Sequence, residues 1–219
     1  MIRLYYLAVA LILIALSACA TQRSASIVTD ASHELWQQRQ QQLSTIDHWN
    51  LRGRVALYIQ GDVHNLGLSW NRNQSHSTLK LEAPLSQGMV SLESTPSLAT
   101  LTTSEGDIYT GKNAQQVLLQ ATGWSIPVEG LTSWITGINH STTDYSPDID
   151  ASGRALSITQ DNWRINYLNY APTKLEAFKN SELPQKIYMK HDNLALKIVI
   201  DQWQNPTAPA PSDIFPVFQ

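Results

Sequence analysis

The chain has 219 residues, with 15 Lys and Arg against 18 Asp and Glu and a formal net charge of -3 at pH 7. That length supplies one sizeable core and makes a single domain the default, and a weakly acidic chain with no basic run is not built to bind nucleic acid. Its single cysteine excludes an internal disulfide and leaves that thiol for another use.

Met1 to Arg3 give a short positive start, Leu4 to Leu16 form a nearly unbroken apolar run, and Ser17 and Ala18 are small. This is the layout of a cleaved signal peptide, and the run is shorter than the roughly 20 residues that span a bilayer. Leu16-Ser17-Ala18-Cys19 resembles a lipobox, in which the cysteine becomes a lipidated N-terminus. An ordinary secretory signal cut near Ala18 or Ala20 is the alternative. One acyl chain holds a protein to a membrane reversibly, whereas two or more hold it stably. Residues 1–18 therefore read as signal peptide and residues 19–29 as a lipidated tether of small and polar residues.

A helix is expected from a cap at Asp30 or Ser32 to about Thr45, with Leu35, Trp36, Leu43 and Ile46 on its apolar face. Period-two segments follow. Leu51, Gly53, Val55, Leu57 and Ile59 alternate with Arg52, Arg54, Ala56 and Tyr58, and a turn at Gly61-Asp62 leads into Leu66, Leu68 and Trp70. Further strands are expected over Leu79 to Ala83, Met89 to Glu93, Leu98 to Thr103 and Ile108 to Thr110. Ala114, Val117, Leu118 and Ala121 then fall at helical spacing before Gly123, and Pro127 opens a short helix with Leu131, Trp134 and Ile135 that ends at Gly137. After a loop rich in Asp, Ser and Pro, strands resume at Leu156 to Thr159, Trp163 to Tyr170, Lys186 to Lys190 and Leu194 to Trp203, with turns at Asp161-Asn162 and Asp192-Asn193. Residues 205–219 carry four prolines and are expected to form a disordered tail.

Consecutive strands joined by tight turns predict a mainly β fold, a single curved antiparallel sheet covering residues 30–204. A curled sheet with so few helices encloses either a filled core or an apolar pocket. Motifs for chemistry are lacking. Gly106 to Asn113 approaches a nucleotide-binding loop, but Asn113 stands where Ser or Thr is needed, and Ile108-Tyr109-Thr110 favours a strand over a flexible cradle. The six histidines are widely spaced, and the Asp144, Asp148 and Asp150 cluster has no EF-hand pattern. No metal, cofactor or enzymatic activity is expected.

The helix around Trp36, the run Leu51-Arg52-Gly53-Arg54-Val55-Ala56-Leu57-Tyr58, Leu68-Ser69-Trp70, Ala83-Pro84-Leu85, Ile108-Tyr109-Thr110, Leu131 to Gly137, Trp163 and Asp201-Gln202-Trp203 occur in order. With the lipobox, this series resembles the LolB family of outer-membrane lipoprotein receptors. The resemblance implies a half-open barrel around an apolar cavity closed by a helical lid. It further implies that lipoprotein acyl chains arrive from the soluble periplasmic carrier LolA and are inserted, without ATP, into the inner leaflet of the outer membrane. The protein would be a monomer, lipid-anchored at Cys19 and facing the periplasm, and Leu85 would be the residue of the membrane-insertion loop. Leu57, Leu68, Trp70, Leu81, Val117, Leu118, Leu131, Trp134, Ile135, Trp163 and Ile198 are the candidates for cavity and lid, the tryptophans serving equally well as plain core. A LolA-type carrier has no use for Cys19, and a structural envelope lipoprotein would have a filled barrel and no cargo.

The N-terminal reading is tested by mass spectrometry of the membrane-extracted protein. An acylated N-terminal peptide beginning at Cys19 is expected, and a mature N-terminus at any other residue rules out the lipid anchor.

Overall fold

Tight turns decide the topology. Gln60 and Gly61 have φ of 51° and 96°, and Asp161 and Asn162 have φ of 52° and 62°. That left-handed pair of residues matches the twist of the strands it joins. The first turn therefore sits one residue earlier than Gly61-Asp62, because Gly61 takes its second central position and Asp62 already pairs with Ile59.

The computed structural model describes residues 29–86, 88–140, 143–173, 175 and 181–204. The expected signal peptide, Cys19, the expected tether before Thr29 and the Pro-rich tail lie outside them. The strands are β1 (His48–Ile59), β2 (Asp62–Asn73), β3 (His76–Glu82), β4 (Met89–Ser94), β5 (Ala99–Thr103) and β6 (Ile108–Gly111), then β7 (Tyr145–Ile149), β8 (Ala155–Gln160), β9 (Trp163–Pro172), β10 (Glu182–His191) and β11 (Leu194–Gln204). Three helices are described: α1 (Asp30–Ser44), α2 (Ala114–Thr122) and α3 (Val128–Trp134).

All eleven strands form one antiparallel sheet in the order β6-β5-β4-β3-β2-β1-β11-β10-β9-β8-β7. Two meanders are thus joined by the pairing of β1 with β11, Val55 opposite Ile198 and Leu57 opposite Leu196. Strands β6 and β7 end the sheet without pairing to each other, so the barrel stays open, as expected. One face is apolar at every second residue: Leu51, Val55 and Leu57 on β1, Leu68 and Trp70 on β2, and Leu196, Ile198 and Ile200 on β11 are all buried.

Three local features depart from the expected elements. The cap of α1 is Thr29, whose hydroxyl accepts from the Ser32 amide at 3.3 Å while the Ser32 hydroxyl accepts from the Thr29 amide at 2.7 Å. This reciprocal box uses Ser32 inside the helix rather than as its cap. Leu35 of the same helix is 42% exposed, whereas Trp36 and Leu43 are buried. The Asp, Ser and Pro segment contains strand β7, with Pro147 opposite Ile158; an edge strand tolerates the missing amide of proline.

The half of the concave face between β7 and β10 is filled. Trp134 of α3 packs 6.1 Å from Trp163, which stacks at 5.3 Å on His191. Gln160, 2% exposed, fastens the connection after α3. Its carbonyl oxygen accepts from the Trp134 indole at 2.9 Å and the His140 amide at 2.8 Å, and its amide nitrogen donates to the His140 carbonyl at 2.6 Å. The Tyr167 hydroxyl donates to the Trp134 carbonyl at 2.9 Å, and burial pushes its pKa well above the ordinary value. Helix α1 covers the same half, where the Arg39 guanidinium lies 5.5 Å from the Tyr170 ring and donates to the Glu182 carbonyl at 2.5 Å.

Gly53 permits the join between the meanders. The β1/β11 register shifts between Arg52 and Gly53, and a Cβ on Gly53 would lie 2.2 Å from the Val199 carbonyl oxygen. Backbone, not a flexible side chain, blocks it. Gly53→Ala is expected to lower stability by about 2 kcal/mol or more, read as a lower urea midpoint; an unchanged midpoint would show that the bulge adjusts freely.

Candidate ligand cavity and rim turn

The other half of the concave face is not filled. Between β1 to β5 and β11 on one side, and α2, α3 and their linker on the other, lies a cavity of about 390 Å³. This is within the range of small-molecule pockets, about 300–1,000 Å³. Its walls are almost entirely apolar side chains, with His64, Thr103, Ser104, Glu105 and Thr122 as the polar members.

Period two along the strands and the helical spacing of α2 and α3 converge here. Leu57, Leu68, Trp70, Leu81, Leu118, Leu131 and Ile198 all line the cavity. Trp70 is held at one end by its indole, which donates to the Ser77 hydroxyl at 2.6 Å, and by edge contact with Trp49 at 5.4 Å. Val117, Trp134, Ile135 and Trp163 are buried but are not among the lining residues. Helices have two buried sides when they close a curved sheet. Val117 faces β6, where its methyl group lies against Gly111, and Trp134 turns to Gln160.

The linker between α2 and α3 contributes more than its sequence reading suggested. Gly123, with φ of 78°, ends α2, and Trp124, Ile126 and Val128 then point alternately into the cavity. Their Trp-x-Ile-x-Val alternation is a legible signal, set between two helices where helical spacing drew attention away. The Trp124 ring lies 6.3 Å from the exposed His64 of β2, which also lines the cavity.

The turn between β3 and β4 sits on the cavity's rim, with Ala83, Gly88 and Met89 among the lining residues. Leu85 at its tip is 90% exposed. Its backbone is left-handed, φ 58° and ψ 31°, a conformation that costs a non-glycine residue about 1–2 kcal/mol. The Ala83 amide donates to the Gly88 carbonyl at 2.8 Å and closes the turn at its base. Pro84 removes one further donor where pairing stops. A large apolar side chain is thus held in water by a strained, tied-off turn, and simple burial economy does not account for it.

A family description, outer membrane lipoprotein LolB, matches residues 47–203. The chain belongs to the LolB family. It is 33% identical over 193 residues to the outer-membrane lipoprotein LolB of Nitrosococcus oceani, covering 88% of this chain and 93% of that one. The LolB of Xanthomonas axonopodis pv. citri is 30% identical, with coverage of 88% and 93%, and that of Coxiella burnetii is 27% identical, with coverage of 91% and 93%. Among solved structures, a LolA-superfamily protein from Nitrosomonas europaea has the same fold, with a TM-score of 0.50 at 9% identity over 79% of this chain and 94% of that one. Family membership carries a role in lipoprotein localisation at the outer membrane.

Leu118 tests the cavity. Although only 5% exposed, it faces empty space rather than packed atoms. Leu118→Asp should weaken binding of a fluorescent fatty acid at least about tenfold, because a charge at the wall opposes an apolar ligand, while the circular dichroism spectrum is retained. Global unfolding would place Leu118 in the load of the core.

Proposed function

We propose that the chain is an outer-membrane-anchored receptor that accepts lipoproteins from the periplasmic carrier LolA and inserts them into the inner leaflet without ATP. The observation that carries this reading is the shared rim: an apolar cavity opens beside a turn that holds Leu85 in solvent. Hiding a chain of sixteen carbons from water is worth roughly 12 kcal/mol at about 0.8 kcal/mol per methylene. Only an enclosure with apolar walls supplies a comparable refuge between carrier and bilayer. Leu57, Leu68, Leu81 and Ile198 form its floor, and Leu118 and Leu131 close it from the helices.

Handover then runs downhill through three apolar environments, the last of them the bilayer, so no nucleotide need drive it. The fold shared with a LolA-superfamily protein supports a like-to-like exchange between two half-open barrels. Cys19, as the lipidated residue, would keep the monomeric receptor at its membrane. Leu85 would enter the acyl region, where burial of a leucine is worth about 1.5–3 kcal/mol, and bring the cavity rim to the surface. The cavity favours this function over that of a structural lipoprotein with a filled barrel.

Receiving and delivering cargo should separate at Leu85. Substitution at an exposed site changes stability by roughly 0.5 kcal/mol or less, so Leu85→Glu is expected to preserve the melting temperature and the uptake of cargo from LolA. Transfer into liposomes should fail, whereas Leu85→Met, apolar and unbranched at Cβ, should retain it. Equal loss of uptake and transfer, or loss of neither, would remove Leu85 from the mechanism.

A further inference from the structure

No run of basic residues marks the sequence, yet the sheet assembles one. On the convex face, period two and the strand register bring together Lys80 of β3, Arg52 and Arg54 of β1, Lys197 of β11, and Lys186 and Lys190 of β10. All six are exposed. Two carboxylates share the outer face of these four strands and of β2 between them, Glu82 and Asp201. Arg54 pairs with Asp201 at 2.9 Å, and among the described residues the other five cations have no carboxylate within ion-pair distance. Glu182, at the start of β10, is already held by Arg154. A chain of net charge -3 therefore carries a convex face of clearly positive sign.

That face is continuous with the rim turn. A groove of about 600 Å³ runs along it, lined by Arg54, Tyr58, Lys197, Ala83 and Pro84 among others. Ala83 also lines the inner cavity, so the turn carrying Leu85 is the place where cavity and basic face meet. Strand β3 stops at Glu82, and β2 and β1 continue past it. The next row outward from the turn reads Asn65, Ala56, Lys197 and Tyr188, which sets Lys197 three strands, or roughly 14 Å, from the turn.

We propose that this convex face docks on an anionic phospholipid surface and orients the molecule as Leu85 enters it. An apolar prong beside unpaired cations is the two-part chemistry of interfacial binding, with apolar insertion giving depth and the cations giving attraction to anionic headgroups. Tyr58 and Tyr188, which stand between the cations on neighbouring strands, suit the same boundary because a phenol has an apolar body and a polar tip. The proposal deepens the receptor reading, on which it rests for the membrane role of Leu85. It adds a lipid requirement and an orientation: the convex face lies toward the headgroups and the cavity mouth is presented beside it.

The test is lysine footprinting of the full lipidated protein, anchored in vesicles that contain phosphatidylglycerol and in matched zwitterionic vesicles of phosphatidylethanolamine and phosphatidylcholine. A basic residue held near an anionic leaflet strengthens association by about fivefold. Acetylation of Lys186, Lys190 and Lys197 should accordingly slow by about threefold or more in the phosphatidylglycerol vesicles. It should recover at about 1 M salt, where the Debye length falls to about 3 Å. Exposed Lys112, beyond the far edge of the sheet, is the internal control and should not change. Equal reactivity in both vesicles, or protection that appears only on addition of LolA, overturns the proposal. Cargo transfer measured on the same vesicles reports on the receptor reading separately, since transfer without protection leaves that reading standing and removes only the docking face.

Discussion

The pairing of β1 with β11 is the constraint on which the rest depends. It makes one sheet of two meanders and sets Val55 and Leu57 beside Ile198 and Leu196, so the cavity floor is built by residues far apart in sequence. Gly53 is where this seam is tightest. The carbonyl of Val199 occupies the space a side chain would need, and the resulting bulge bends the strand at mid-sheet. Because β6 and β7 stay unpaired with each other, the curvature never closes, and the apolar face must be covered by something other than strands.

Coverage is unequal, and the inequality gives the molecule a working half and a supporting half. Beneath α1 and the end of α3, large rings and the hydrogen-bonded cluster around Gln160 fill the space. Asp150 shows how firmly that region is tied. Burial alone would raise its pKa, but hydrogen bonds from the Arg154 and Ser152 amides and from the Arg154 guanidinium hold it below the ordinary carboxylate value. Over β1 to β5, α2, the linker and the start of α3 form the cover and leave the space beneath them open. A cavity costs the fold contacts that a filled core would have, and the packed half supplies the stability that lets it persist.

Much of this was legible in the residues. Alternation named the inward faces of β1, β2 and β11, and helical spacing placed Leu118 and Leu131 on helices that turned out to close the cavity. Four of the named candidates, Val117, Trp134, Ile135 and Trp163, instead support its surroundings. Amphipathic spacing reports that a side chain is buried, and it is silent on whether the space opposite is filled. The contribution of Trp124, Ile126 and Val128 was hidden because the linker and the first residue of α3 carry this pattern over too few residues to outweigh the helical spacing around them. Strand β7 was missed because Pro147 and its acidic neighbours have loop composition, and only their edge position makes them a strand. The basic convex face was invisible for a related reason: its members are separated by apolar residues on each strand and gather only across the register.

The central claim, that the open half of the barrel holds acyl chains, is tested most directly by photocrosslinking. A lipoprotein carrying a photoactivatable acyl chain is delivered by LolA to the purified protein, irradiated, and the adducts are mapped by peptide sequencing. Adducts are predicted on the segments bearing Leu68, Leu81, Leu118, Leu131 and Ile198, and none on Trp163 or Val117. Adducts confined to the outer surface, or spread without regard to the cavity walls, would contradict the account.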